Sequence, residues 1–183
     1  MKNLNFDRLI NSSIDDIIKN LDSIFKNLIQ EIELYLNLEV VNSNFKMIYD
    51  DQNTQSINSK EPFYNIGVER TKSNNFVSIT IFKNCRKYIK EILLRETYLF
   101  FIPESLKEDE IIHIFITQRL ISDLKKLPSI KHWESLIKKK TISYEFRIAE
   151  FDRLEKFLKQ ESTGLYDSPF QFFFKFVRKN LQL

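Results

Sequence analysis

Glycine, proline and cysteine are scarce in this chain of 183 residues, which contains Gly 2, Pro 4 and Cys 1. A glycine-rich loop that cradles phosphate therefore cannot form. The single cysteine, Cys85, cannot form an intramolecular disulfide and fits a reducing compartment, so we expect a cytoplasmic location. No apolar run approaches the roughly 18 to 20 residues that a membrane-spanning helix needs. The only histidines, His113 and His132, are too few for a zinc finger with Cys and His ligands.

Large apolar side chains are abundant instead. Hydrophobic residues make up 43% of the chain and aromatic residues 14%, with Phe 17, which is enough to build a hydrophobic core and excludes wholesale disorder. Lys+Arg 28 against Asp+Glu 25 gives a net charge of +3, an excess too small to demand a polyanionic partner. The length suits a single domain over residues 1–183, which we divide into residues 1–41, 42–82 and 83–183.

The first part, residues 1–41, carries a helical pattern. Apolar residues recur at steps of three and four and predict one broad buried face on an amphipathic helix. They are Ile10, Ile14, Ile17, Leu21, Ile24 and Leu28. Ser13 and Asp16 have the spacing of a capping box, so the helix starts or bends there.

The second part, residues 42–82, is typical of strands. Phe76–Phe82 alternates cleanly between two faces, Phe63–Arg70 is similar, and apolar residues alternate from Phe45 to Tyr49. A polar segment over residues 71–75 predicts a hairpin loop between the last two strands. We therefore expect a small antiparallel sheet of about three strands.

The third part, residues 83–183, predicts a helical C-terminal half, so the expected fold class is α+β. Four polar residues are candidate N-caps of helices, and a fifth helix is predicted over Phe146–Leu158. The candidate caps are Asn84, Ser105, Ser129 and Ser168, the last of which opens a helix through Asn180.

A carboxylate lies within the apolar side of the helix predicted after Asn84. Glu96 falls four residues after Ile92 and four before Phe100, so the three share one face. Because burying a bare charge is costly, this carboxylate must be paired, hydrogen-bonded, protonated or open to a cleft. On the next predicted helix, Glu110 and His113 are about one turn apart on one face.

Two interpretations of these residues remain open. If the two helices pack antiparallel, Glu96, Glu110 and His113 can bind a divalent metal and serve an atypical metal-dependent hydrolase, with Glu96 as its catalytic residue. Alternatively, Glu91, Arg95 and Glu96 form a charge network. In that case Arg95 pairs with Glu91, Glu96 meets a neighbouring tyrosine or lysine, and Glu110 interacts with its own helix N-terminus.

The segment ILLRETYLFFIP around Glu96 follows predicted strands and precedes the helix that opens at Glu110. This order resembles the core of gluzincin-type metallopeptidases, where a His-Glu-x-x-His helix supplies two zinc ligands and a catalytic Glu, and the following helix supplies a third ligand. The resemblance implies that Glu96 matches the catalytic Glu and Glu110 the third ligand. Arg95 and Leu99 stand where both zinc-binding histidines belong, so the resemblance implies a degenerate scaffold that has lost zinc catalysis.

Two further features point to partners. Five phenylalanines near the C-terminus circle a predicted helix completely, which favours burial on several sides or a partner protein on one of them. They are Phe170, Phe172, Phe173, Phe174 and Phe176. Six lysines form a candidate basic patch for nucleic acid, although cations at helix C-termini are an ordinary structural feature. They are Lys125, Lys126, Lys131, Lys138, Lys139 and Lys140.

The sequence therefore predicts a non-catalytic protein-interaction or regulatory module on a metallopeptidase-like scaffold that spans residues 62–127, with no cofactor. The alternatives are the metal-dependent hydrolase and a weak nucleic-acid-binding module.

Overall fold

The computed structural model describes residues 6–36, 44–55, 65–73, 76–102, 106–139 and 144–161. Within these ranges the fold is of the α+β class, with seven α-helices and one three-stranded sheet, which confirms the predicted class. No helix in these ranges has the length and apolar character needed to cross a membrane.

The N-terminal region forms three helices, α1 (Asp7–Asn11), α2 (Ile14–Lys19) and α3 (Leu21–Leu36), where the sequence pattern suggests one. Ser13 begins α2 as predicted: its Oγ accepts the Asp16 backbone N–H at 3.1 Å and donates to the Asp16 carboxylate at 2.6 Å. The predicted apolar stripe does face the core across all three helices. Of its six residues, Ile17, Leu21 and Leu28 are buried, whereas Ile10, Ile14 and Ile24 are partly buried against the core.

The sheet contains β1 (Asn44–Asp50), β2 (Val68–Ser73) and β3 (Phe76–Phe82), in the order β1-β3-β2. The β2–β3 pair is antiparallel, as expected for strands joined by a short loop. β1, however, runs parallel to β3, with Asn44 opposite Phe76 and Asp50 opposite Phe82. The prediction of a purely antiparallel sheet is therefore wrong for this pair.

The physical reason is that alternation of apolar and polar residues identifies a strand but not its direction. A parallel neighbour needs a long connection, and residues 51–75 between β1 and β3, which include β2, are long enough to provide one. β1, which precedes the β2–β3 hairpin in the sequence, can therefore pair with β3 in the parallel direction. The backbone N–H of Met47 in β1 donates to Asp22 of α3 at 3.1 Å, so α3 covers this edge of the sheet.

The helical half begins with a 3₁₀ helix (Lys83–Tyr88) that continues into α4 (Ile89–Phe100), followed by α5 (Glu110–Asp123), α6 (Ile130–Lys138) and α7 (Tyr144–Glu161). The predicted start of α5 at Ser105 is wrong. Asp109 is the N-cap instead, and its carboxylate accepts the Ile111 N–H at 2.9 Å. Asn84 binds the backbone of Gln55 rather than capping a helix.

Helix α4 is the central element of the core. It packs against α3 and α5, and α5 also packs against α6. Every residue from Glu91 to Leu99 is buried, so Glu91, Arg95 and Glu96 are as inaccessible as the apolar residues between them. The sheet contributes Met47, Val68, Ile79 and Ile81 to the same core.

Candidate functional site

The residues singled out around Glu96 lie at the contact between α4 and β2. Arg70 of β2 donates from Nε to Glu96 Oε2 at 2.8 Å and from Nη2 to Glu96 Oε1 at 2.8 Å. Arg95 donates from Nε to the same Oε1 at 3.0 Å, and from Nη1 to the carbonyl of Ile66 at 3.0 Å. The two arginines and the glutamate form a cluster that we call the Arg-Glu-Arg triad.

The triad keeps the Glu96 carboxylate ionised. Burial would raise its pKa, but the charges of Arg70 and Arg95 and their hydrogen bonds outweigh burial and hold the pKa below its ordinary value. Both oxygens of Glu96 are engaged, and its side chain is 1% exposed. A general base must reach its substrate and accept a proton, so the triad removes Glu96 from that role.

Trp133 of α6 completes the surroundings of the triad. Its ring centroid lies 5.4 Å from Arg95 Cζ, a cation–π contact that favours the buried guanidinium. Glu91, which the sequence paired with Arg95, instead accepts a hydrogen bond from Ser129 Oγ at the start of α6. The structure thus brings Arg95 and Glu96 together with Arg70 and places the Glu91 carboxylate at a separate contact.

The other two residues proposed as metal ligands do not form a metal-binding group with Glu96. Glu110 is exposed at the first position of α5, whereas His113 is buried one turn later, with its Nε2 donating to the Lys107 carbonyl. In the described part of the chain, no three His, Cys, Asp or Glu side chains are grouped so that they could hold a metal ion. The positions that resemble a zinc site therefore do not fit zinc, because a guanidinium occupies one ligand position and an aliphatic side chain, Leu99, the other.

A polar cleft of about 480 Å³ opens beside the triad. Its walls include Gln55, Asn65, Val68, Glu69, Arg70 and Glu108. Arg70 links triad and cleft, since its side chain is 24% exposed and its Nη1 also reaches Asn65 Oδ1 at 3.3 Å.

Gln55 is hydrogen-bonded to two other segments near this cleft, residues 65–67 and Asn84. Its Oε1 accepts the N–H of Gly67 at 2.5 Å, and its Nε2 donates to the Asn65 carbonyl at 3.0 Å. Its backbone N–H and carbonyl bind the side chain of Asn84 at the start of the 3₁₀ helix. These bonds, together with the Arg95–Ile66 bond, position the segment from Asn65 to Gly67 before any ligand arrives.

A second buried polar cluster lies between α4 and α5. The Tyr98 hydroxyl donates to Asp123, which also accepts from Arg119 Nε at 2.6 Å. Burial raises the pKa of Asp123 to about 6, although Arg119 and the two hydrogen bonds oppose that shift. Burial also lowers the pKa of His113 to about 4, which keeps its imidazole neutral at neutral pH.

These two groups predict opposite pH dependences of stability. Between pH 3.8 and about 6 the folded chain retains an Asp123 proton that the unfolded chain loses, so the free energy of unfolding falls as pH rises. Between about pH 4 and 6.5 the unfolded chain binds a His113 proton that the folded chain does not, so the free energy of unfolding rises with pH. Asp123→Asn removes the first contribution. Across this window we expect the variant's stability to rise with pH more than that of the wild type, by on the order of 2–3 kcal/mol. Urea unfolding at a series of pH values measures the difference.

His113→Gln is the matched control, because glutamine retains a donor for the Lys107 carbonyl but does not titrate. We expect its stability to fall with rising pH across the window, opposite to Asp123→Asn. A pH profile of Asp123→Asn that runs parallel to the wild-type profile would contradict the raised pKa of Asp123.

The candidate basic patch is divided in the structure. Lys125 and Lys126 follow α5, and Lys126 pairs with Asp7 of α1 at 3.1 Å. Lys131, Lys138 and Lys139 are exposed on and just after α6. Lys140 and the five C-terminal phenylalanines, with the helix predicted for them, lie outside the described residues.

Arg70 is the site residue that the sequence argument missed. Its signal was its spacing: it follows Val68 by two, so both side chains point to the same, inward face of β2. A buried carboxylate on a neighbouring helix then needs a cation of this kind.

Comparisons with models of known protein families, with curated protein sequences and with solved structures find no match to this chain. The resemblance to gluzincin-type metallopeptidases stays a prediction.

Proposed function

We propose that this protein is a non-catalytic protein-interaction module, in which residues of a metallopeptidase-like arrangement serve structure rather than catalysis. The observation that carries the proposal is the engagement of Glu96. Its two oxygens bind two arginines in full burial, so it supports neither proton transfer nor metal binding.

The cleft beside the triad supports interaction as the alternative use of this region. In the described sheet β2 is an edge strand, and Val68, Glu69 and Arg70 of that strand line the cleft. An edge strand presents unpaired backbone groups, which an extended polypeptide can pair with. Because the triad and Gln55 hold the cleft walls in place, little ordering entropy is lost when a partner binds.

Peptide selection tests this proposal. A displayed library of random peptides, selected on the full chain, should yield extended peptides that bind the cleft. Reversing one of the exposed charges of the cleft with Glu69→Lys should weaken the binding of the selected peptides by about tenfold. Reversing the exposed charge on α7 with Lys156→Glu is the matched control and should leave their affinity within about twofold.

Metal analysis tests the competing hydrolase. Elemental mass spectrometry of protein purified without chelator or histidine tag is expected to find no stoichiometric zinc. One zinc per chain, with peptide hydrolysis that Glu96→Gln abolishes, would overturn the non-catalytic proposal.

In the peptide-binding experiment, equal binding by wild type and Glu69→Lys would overturn the assignment of the cleft as the interaction site.

A further inference from the structure

A basic surface forms where the 3₁₀ helix meets α6, and the proposed protein-binding cleft does not use it. The segment Lys83–Lys90 contains four basic residues and no acidic one. Lys83, Arg86 and Lys87 of this segment are exposed. Lys131, Lys138 and Lys139 are exposed on and just after α6. Arg86 is paired with Asp15, so we take the exposed Lys87 as the residue of this segment that is available to bind an anion.

Aromatic contacts join the two elements. The rings of Tyr88 and His132 stack with centroids 4.4 Å apart and planes inclined by 12°. Lys87 Nζ lies 4.8 Å from the centroid of Tyr88, and the buried Trp133 meets both rings edge-on. The imidazole of His132 is thus held as a fixed, partly exposed ring beside a lysine.

A second lysine lies on the same side of α6 as this ring: Lys139 follows His132 by seven residues, about two helical turns, and is exposed. The pKa of His132 is lowered by burial first, and then by the charges of Lys87 and Lys139. Among the described residues, the charged groups that shift this pKa are these two ammonium groups. Both cations disfavour a positive charge on the ring, and an anion bound beside it offsets their charges.

We propose that Lys87, His132 and Lys139 form a binding site for single-stranded nucleic acid, in which a base stacks on His132 and adjacent phosphates lie against the two lysines. Proteins that bind single strands without sequence preference combine these two elements, a basic track and an aromatic platform. A membrane surface fits less well, because Trp133 is buried and Tyr88 is half-buried against His132, so neither presents an apolar wedge. This inference is independent of the proposed protein-binding cleft.

Fluorescence anisotropy with a labelled oligouridylate of about 12 nucleotides tests the site. We expect the affinity of the wild type to fall steeply as salt rises from about 50 to about 200 mM. The double variant Lys87→Gln/Lys139→Gln should bind about tenfold more weakly and should lose about 1.4 from the salt slope, which corresponds to two phosphate contacts on a single strand.

The charge-matched control is Lys46→Gln/Lys156→Gln, which removes two exposed lysines from β1 and α7. It should bind within about twofold of the wild type. An equal loss in both double variants would overturn the site in favour of diffuse charge attraction. No binding by the wild type would overturn it as well, as would tighter binding to phosphatidylserine vesicles than to the oligonucleotide.

A pair of histidine variants tests stacking separately from charge. His132→Ala should weaken binding by about tenfold, whereas His132→Phe retains a π-face and should bind within about twofold of the wild type. Equal losses in the two variants would overturn the stacking assignment. In addition, nuclear magnetic resonance titration of His132 should show a higher pKa with the oligonucleotide bound, because a phosphate beside the ring offsets the charges of Lys87 and Lys139. An unchanged pKa would contradict a phosphate at this position.

Discussion

Replacing Glu96 by glutamine is expected to lower the free energy of unfolding by about 3–5 kcal/mol. The amide is nearly isosteric, so the effect is electrostatic. It leaves Arg95, which is fully buried, and Arg70 without the carboxylate that compensates their charges. Removing one partner of a buried ion pair is costly because the charge that remains cannot be rehydrated. Urea unfolding followed by circular dichroism at neutral pH measures the loss.

Glu145→Gln supplies the matched control, since the same change is made at an exposed position in α7. It should alter stability by no more than about 0.5 kcal/mol. In the double variant Arg70→Gln/Glu96→Gln the cost should be smaller than the sum of the two single costs, because the residues interact directly. A loss below about 1 kcal/mol for Glu96→Gln would show that the triad is not the buried charge cluster described here.

Gly67→Ala is expected to be the second large effect, lowering the free energy of unfolding by about 3 kcal/mol or more. Gly67 has φ +89, a left-handed conformation that costs alanine about 1–2 kcal/mol. A Cβ at this position would also lie 2.4 Å from Ile92 Cδ1 and 3.1 Å from Cys85 Cβ. The clash would push β2 and its preceding turn away from α4, where Arg95 holds the neighbouring Ile66 carbonyl. Thermal and urea unfolding measure the loss.

Ile92→Val removes the single atom that a new Cβ would approach most closely. Alone it should cost about 1 kcal/mol, as is usual for this truncation in a core. In the double variant Gly67→Ala/Ile92→Val the combined loss should be smaller than the sum of the single losses, because the clash with Cδ1 is relieved and only the backbone strain and the tight contact with Cys85 remain. Strict additivity would contradict the steric explanation.

Local patterns in the sequence predicted the features that depend on local interactions. The capping box of Ser13 and Asp16 forms because both of its hydrogen bonds join residues three apart on one turn. The alternation in Phe76–Phe82 predicted β3 with its observed bounds, and the apolar stripe predicted which face of the N-terminal helices is buried. Glu96 was also recognised as a carboxylate that needs a partner, because its neighbours in the helix are apolar.

Local patterns failed to predict the starts of helices where more than one hydrogen-bonding arrangement is open to a capping side chain. Ser105 with Glu108 has the spacing of a capping box, yet α5 begins four residues later at Asp109, which has an equally good capping side chain. Asn84 likewise has a suitable side chain, but its amide binds the backbone of Gln55, 29 residues away along the chain. In both cases the choice among competing hydrogen bonds depends on tertiary contacts.

By itself, then, the sequence determined the class of the fold, the faces that are buried and the need for a counter-charge near Glu96, since each follows from burial and short-range hydrogen bonding. Only the tertiary structure decided that β1 runs parallel to β3 and that Arg70, 26 residues from Glu96, supplies the counter-charge. It also decided that Glu110 stays at the surface, that Glu91 binds Ser129, and that His132 stacks on Tyr88. The physical reason is common to all of them. A residue's own side chain sets the cost of burying its charge or of exposing its apolar surface, but the packing of distant elements decides which partner offsets that cost.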